Sequence, residues 1–311
     1  MADPAVVRIG TRASRLALAQ GRGVRRELKR RFPAVRFRLV KVSTLGDEYQ
    51  SVELFKRNLT GVFTGSLERK LVSERIDVAV HSLKDLPTHL APGLELAAVP
   101  RRLDPADVLI TKKRLSLKAL PPGSRVGTGS PRRKRQLAAL RPDLVIEDIH
   151  GNLDTRVRKV LRERHFDAIV VARAGLARLG RYLKYTTRIP PDELLPAVGQ
   201  AALGLEVRRG DKKIYRMVRR LNHAPSETAV LAEREFLRRL EGGCRVPAGV
   251  FTRLRGPRIR MEAVVLSPVS GECLRAQAEG PVKRAAQVAA RLAAGLLRRG
   301  AARFLKEARR G

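Results

Sequence analysis

The sequence predicts an α/β protein with a smaller α+β segment at its C-terminal end, and three features point to it. Short apolar runs alternate with amphipathic stretches of helical period up to about residue 219, the pattern of strands and helices layered around a mostly parallel sheet. Several runs end in a polar turn followed by a helix-capping residue, as strands do when they pass into a helix. From about Asn222 the order changes to a helix, then strands around a hairpin-like turn, then a C-terminal amphipathic helix from about Pro281.

In chain order, VVRIGT (6–11) reads as a strand and is followed by a helix from about Ser14 to Phe32. FRLVKVS (37–43) is a second strand. A helix near 62–73 places Phe63, Leu67 and Leu71 on one face at spacing four. IDVAVHS and LELAAVP (94–100) are the next strands, and 47–64 is a less regular loop. After a break at Pro100–Pro105, the runs DVLIT, RVGTGS, LVIEDIH and DAIVVA form a second α/β unit. ALGLEV (202–207) adds one more strand, then a basic helix. SPVSGE (267–272) suits a hairpin turn, and no convincing sequence repeat is present.

A length of 311 residues fits roughly two or three domains, and a hydrophobic content of 43% is enough for packed cores. Aromatics make up only 4% with no Trp, which argues against stacking on nucleic-acid bases. Two cysteines cannot build a disulfide framework or a zinc cage, so no metal is expected. The start lacks a charged segment leading into an apolar stretch, and no apolar run is long enough to span a membrane. The chain therefore reads as cytoplasmic and independent of membranes. Lys and Arg number 65 against 30 Asp and Glu, a net charge of +35 that attracts polyanions in general.

Three turns can hold an anion. In GTRAS, Arg12 follows a strand and Ser14 is a natural N-cap. In VGTGSPRRKRQL, Ser130 caps, Pro131 suits the first helical position, and Arg132 and Arg133 fall in the first turn. In IHGNLDTRVRK, Asn152 caps and Arg156 lies near the helix start. Free backbone N–H groups, a helix dipole and a guanidinium together suit a carboxylate or phosphate. A single such turn arises by chance in a chain this basic; three at strand-to-helix junctions are harder to dismiss.

VAVHSLKDLPT (78–88) is an apolar strand that delivers Lys84 and Asp85 to its carboxyl end, where open α/β sheets place their ligands. Asp85 is thus a candidate catalytic acid, with a solvated Lys-Asp pair as the plain alternative. In LEGGCRVPAGV (240–250), paired glycines precede Cys244 and Arg245 favours its thiolate. Cys273 lies in an expected strand and is read as a packing residue.

RIGTRASRLALAQ, VAVHSLKDLPT, VGTGSPRRKRQL, GNLDTRVRK, DAIVVARAGLARLG, LPAVGQAALGLEVR and LEGGCRVPAG occur in this order from Arg8 to Gly249. As an ordered set the chain closely resembles the hydroxymethylbilane synthase (porphobilinogen deaminase) family. The resemblance implies an enzyme of tetrapyrrole (heme) biosynthesis, a transferase that joins four porphobilinogen units head to tail, releases ammonia each time and liberates hydroxymethylbilane. It implies a dipyrromethane cofactor held by a thioether on Cys244. It implies two periplasmic-binding-protein-like α/β domains, 1–101 with 200–219 and 102–199, and a smaller α+β domain, 220–311, that bears the cysteine. A monomer is expected, with porphobilinogen and the growing polypyrrole as its partners and no specific nucleic acid.

By the same resemblance Asp85 is the catalytic carboxylate, stabilising the cation left when ammonia departs. Lys84, Ser130, Arg132 and Arg133, together with Asp85, would contact the cofactor. Arg12, Ser14, Arg156, Arg178, Gln200 and His150 would contact substrate. Each porphobilinogen carries two carboxylates, so a growing chain is a polyanion and many guanidiniums are in keeping with it. Two departures stand out: His150 replaces the usual Arg before the Gly-Asn pair, and Leu59-Thr60-Gly61 replaces a Gly-Lys-Gly pattern, though Lys56 is retained. A non-catalytic, periplasmic-binding-type protein for small anions is the alternative; charge alone would suggest a nucleic-acid binder.

Overall fold

A computed structural model describes residues 6–43, 64–240 and 247–310. Cys244 lies outside the described residues, as do Phe63 and the expected loop 47–64, Lys56 included, except for Thr64 at its end. The chain divides into two compact units, 1–103 with 201–227 and 104–200 with 228–311.

In the first unit the expected elements appear as β1 (Val6–Arg12), α1 (Arg15–Arg31), β2 (Arg36–Val42), α2 (Gly65–Val72), β3 (Val78–Ser82) and β4 (Leu94–Ala98). β10 (Leu203–Arg208) and α6 (Lys212–Arg219) return to this unit from far along the chain. The sheet order is β2-β1-β3-β10-β4, and β10 alone runs against the others. Val7, Ile9, Val78, Val80, Leu205 and Val207 pack with Val24 and Leu28 of α1 and with Met217 and Val218 of α6. On the opposite face Leu67 and Leu71 of α2 pack on Val42, Ile76 and Ala79, the helix stripe that the spacing predicts.

In the second unit lie β5 (Asp107–Ile110), β6 (Arg125–Gly127), α3 (Pro131–Leu140), β7 (Val145–Glu147), α4 (Leu153–Leu161), β8 (Ala168–Ala172), α5 (Arg173–Leu179) and β9 (Thr186–Ile189). Their order is β7-β6-β8-β5-β9, and β5 is the antiparallel member. If β6, β7 and β8 are set against β1, β2 and β3, the two sheets have one topology: the single reversed strand lies between the third and the last. This is the periplasmic-binding-type arrangement that the resemblance implies. The repeat is invisible in the sequence for a topological reason. The reversed strand follows its four partners in the first unit and precedes them in the second, so the two halves are out of phase along the chain. The sequence does not signal β9, because TTRI is short, half polar and at the sheet edge.

The C-terminal part of the second unit holds α7 (Ala224–Arg239) from residue 228 onward, β11 (Ala248–Arg255), β12 (Arg258–Leu266), β13 (Cys273–Pro281), α8 (Ala285–Leu296) and α9 (Ala302–Arg310). The three strands form an antiparallel sheet whose inner face, Val250, Ile259, Met261, Ala263 and Val265, is covered by Phe236, Leu292, Leu296 and Phe304. SPVSGE does turn β12 into β13, with Ser267 N bonded to Glu272 O at 2.8 Å. Cys273 corrects one expectation: it is a free, exposed thiol and not a packing residue. β13 is an edge strand, and Cys273 lies on its outward row with Arg275, Gln277 and Glu279.

Gly249 joins this sheet to the α/β part of the same unit. Val250 N donates to Pro196 O at 2.8 Å, so β11 runs against the 195–196 backbone. A Cβ on residue 249 would lie 2.7 Å from Leu195 O and 2.9 Å from Leu195 Cβ. That carbonyl accepts from Arg132 and Gln136 and has little room to move. Gly249→Ala is expected to destabilise the protein by about 1–3 kcal/mol, the scale of overpacking a tight contact. An unchanged midpoint in urea unfolding would show that the contact yields.

Candidate functional site

In the first unit the candidate residues gather at the carboxyl ends of two adjacent parallel strands, β1 and β3. Arg12 ends β1. Ser14 caps α1 in extended conformation, its Oγ accepting from Ala17 N at 3.3 Å, a contact worth about 1 kcal/mol to the helix. β3 runs into a 3-10 turn, Leu83–Asp85, that exposes Lys84 and Asp85 to solvent. α1 is tied to the end of β3 by Gln20 Nε2, which donates to Ser82 Oγ at 3.0 Å. Leu83 N donates to Ala202 O at 3.0 Å, so the segment entering β10 also steadies the turn.

Beneath Asp85 the strand is braced by a buried polar pair. His81 Nε2 lies 3.0 Å from Glu206 Oε2, with both side chains almost fully buried. Glu68 of α2 is close enough that burial and then the Glu206 charge raise its pKa, against a smaller pull from His81. At the opposite end of β3, Asp77 takes a bidentate contact from Arg8 at 2.7 and 3.0 Å and another from Arg208 at 3.2 Å. Burial works against the ionised Asp77, but these guanidinium contacts outweigh it and its pKa is lowered.

In the second unit the residues converge on a group that sequence reasoning missed, Asp107. Because β5 is antiparallel, its first residue lies opposite Ala172, the last residue of β8, at the carboxyl edge of the sheet. From β6 the chain passes through Ser130 into α3, with Ser130 Oγ accepting from Arg133 N and Pro131 at the first helical position. Arg132 Nη2 donates to Asp107 Oδ2 at 2.7 Å, and Arg133 Nη2 to Asp107 Oδ1 at 2.8 Å. Gln200 Nε2 donates to Asp107 Oδ1 at 2.8 Å and to Pro105 O at 2.6 Å. Arg132 Nη1 reaches Leu195 O at 2.5 Å, and Arg133 Nη1 reaches Val170 O at 3.2 Å. Asp107 is 0% exposed, Arg132 5% and Arg133 6%. Burial alone would raise the Asp107 pKa; the two guanidiniums overcome it and hold it at about 2. Burial lowers the pKa of Arg132, with Arg133 adding to the effect against the pull of Asp107.

Arg156 completes this neighbourhood. Asn152 caps α4 through its bond with Thr155 N at 3.0 Å, and Gly151, at φ 106, turns its carbonyl to accept from Arg156 Nε at 2.7 Å. Burial and then the charge of Arg133 lower the Arg156 pKa. Arg178, in the last turn of α5, has its pKa pulled down to about 10 by burial. His150, just before Gly151, is exposed.

Sequence comparison adds the family. The porphobilinogen deaminase dipyromethane cofactor binding domain matches residues 7–216, and the porphobilinogen deaminase C-terminal domain matches 227–298. The chain belongs to the porphobilinogen deaminase family. It is 48% identical over 303 residues to the porphobilinogen deaminase of Desulforudis audaxviator, covering 97% of this chain and 98% of that protein. It is 46% identical to that of Pelotomaculum thermopropionicum, covering 97% of each, and 44% identical to that of Thermus thermophilus, covering 98% and 99%. Transferase chemistry in tetrapyrrole biosynthesis goes with this family, and the alternative of a non-catalytic binding protein falls. Among solved structures, the cofactor-binding domain of the Cbl transcriptional regulator is 15% identical with a TM-score of 0.42, covering 71% of this chain and 89% of that one, too slight a likeness to bear on the site.

The residues present fit the dipyrromethane cofactor of this family. Arg132 and Arg133 carry two positive charges against the one negative charge of Asp107, and Nε of each is buried without a hydrogen-bond partner. A surplus cation with open donors suits a carboxylate-bearing pyrrole. The structure thus brings Ser130, Arg132, Arg133, Gln200 and, nearby, Arg156 together in one unit, and Arg12, Ser14, Lys84 and Asp85 in the other. Among the described residues no cluster of His, Cys, Asp and Glu is placed to hold a metal ion, and no helix is long and apolar enough to cross a membrane.

The Asp107 contacts have a consequence at low pH. Its folded-state pKa is depressed, so its stabilising contribution is complete above the unfolded value near 4 and is lost as pH falls towards 2, on the order of 2 kcal/mol in all. Removing one guanidinium by Arg132→Met should raise the folded pKa and move the acid-unfolding midpoint to higher pH. Circular dichroism against pH checks this; identical midpoints would mean that Arg132 does not hold the carboxylate.

Proposed function

We propose that this chain condenses four porphobilinogen units, with loss of ammonia at each step, and releases hydroxymethylbilane from a dipyrromethane primer attached through a thioether to Cys244. The observation that carries this reading is the family match over residues 7–216 and 227–298, together with the surplus of buried cation around Asp107. When bound, the dipyrromethane supplies a pyrrole carbon free to attack the incoming unit. The domains are read as 1–101 with 200–219, 102–199 and 220–311. The enzyme is read as a cytosolic monomer.

The chain's own residues then have separable tasks. Asp85 faces the substrate carbon that becomes cationic when its bond to nitrogen breaks and ammonia leaves with the electron pair. A carboxylate held at the end of a buried strand stabilises that cation without reorganising. Its exposure leaves it open to a ligand, while the buried His81–Glu206 pair below fixes the strand that carries it. Lys84 stands beside it as a contact for cofactor carboxylates. Arg12 and the Ser14-capped turn receive the propionate or acetate side chains of substrate, as Arg156, Arg178 and His150 do in the other unit. Arg132, Arg133 and Ser130, with Gln200 packed behind them, receive the first carboxylates of the cofactor.

The attachment is tested by intact mass. Purified protein should exceed its sequence mass by two porphobilinogen units less the ammonia lost. Cys244→Ser should abolish both the adduct and nearly all activity, whereas Cys273→Ala, at an exposed strand edge, should keep both. An active, unmodified Cys244→Ser enzyme would overturn the proposal.

Asp85→Asn preserves size and removes the anion. Turnover should fall by about two to three orders of magnitude, the scale of losing one preorganised electrostatic partner. Asp85→Glu should retain more activity. Near-normal turnover in Asp85→Asn would assign the stabilisation to another group.

A further inference from the structure

A charge count sets the cluster around Asp107 apart from an ordinary buried ion pair. One carboxylate faces two guanidiniums, and all three side chains are at least nine-tenths buried. A purely structural contact would be cheaper with one Arg, since a second buried cation adds desolvation with no second anion to offset it. The orientation of both guanidiniums is nevertheless fixed on several sides: by Asp107 at the start of β5, by Val170 O on β8, and by Leu195 O. The Leu195 backbone is held in turn by Gln136, which accepts from Leu195 N at 2.8 Å and donates to its carbonyl at 3.1 Å. What the frame leaves over is one unit of positive charge and two buried Nε–H donors.

We propose that Asp107 is a positioning residue of the anion site, acting through Arg132, Arg133 and Gln200. It holds their polar ends together at the carboxyl edge of the sheet and cancels one of the two positive charges. The cluster is thereby left to be neutralised by a single carboxylate of the cofactor. This proposal rests on the deaminase reading above. The antiparallel direction of β5 is what makes it possible, because only a reversed strand brings its first residue to the edge where β6 and β8 end.

The test uses Asp107→Asn, read by the fraction of purified protein that carries the dipyrromethane mass. A second reading is the thermal midpoint of cofactor-free protein, made in a Cys244→Ser background, during titration with inorganic phosphate. The loaded fraction should fall at least about tenfold, the scale of one displaced charge-assisted contact. The cofactor-free midpoint should drop without phosphate and rise with it more than in the Asp107 parent, because two uncompensated guanidiniums now seek an anion. A merely structural Asp107 would lower the midpoint without enlarging the phosphate response. Should Asp107→Asn not fold, Asp107→Asn with Arg133→Met restores a single net charge; it should recover the midpoint yet still load poorly. Parental loading in either variant, or an unchanged phosphate response in Asp107→Asn, overturns the proposal. If the unaltered protein carries no adduct, the deaminase reading fails instead, and the phosphate titration still decides on Asp107.

Discussion

A single carboxylate compensates two buried guanidiniums in the second unit, and much of that unit is arranged around the imbalance. Asp107 can stay ionised at 0% exposure only because Arg132 and Arg133 reach it, and they can be buried only because it is there. Their remaining contacts spread the constraint to β8, to the Leu195 carbonyl and, through the close approach of Gly249, to the C-terminal sheet. A binding feature and a packing feature are thus one object. Such coupling explains why the pair is so rigidly held for residues expected to meet a ligand.

The first unit solves a related problem with less charge. Its reversed strand carries Glu206 to His81, a buried pair that braces β3 below the exposed Lys84 and Asp85. Asp77, held by Arg8 and Arg208, anchors the other end of the same strand. A catalytic carboxylate needs solvent access for its ligand and a fixed backbone for its aim. Here the access comes from the 3-10 turn, and the fixity from the buried His81–Glu206 contact and from the Asp77 ion pairs at the other end of the strand.

Much of this was legible in the sequence. The strands and helices followed hydrophobic period, and Ser14, Ser130 and Asn152 cap the helices they were expected to cap. The family resemblance came from ordered motifs and is matched by both family domains. Asp107 was not legible as a site residue, because DVLIT reads as an ordinary buried strand and only the antiparallel register shows where its first residue lies. One signal was present: an acid opening an otherwise apolar run must find a cation if it is buried. Gln20 and Ser82 escaped for a similar reason, since their contact joins positions 62 residues apart. Cys273 departs from the usual burial of a free cysteine because its strand lies at the sheet edge, a placement that residue type does not encode.

The placement of β10 also bears on how the protein is made. β10 lies between β3 and β4, so the sheet of the first unit has a gap at that position until residues 203–208 have been synthesised. The α/β strands of the second unit, by contrast, span an unbroken stretch from 107 to 189. On a ribosome that emits the chain from its N-terminal end, the later α/β body can therefore close while the earlier one still waits for its fifth strand. The nascent first unit passes that interval with the edges of β3 and β4 unpaired, a state in which shielding by a chaperone or a fast-growing chain would matter most.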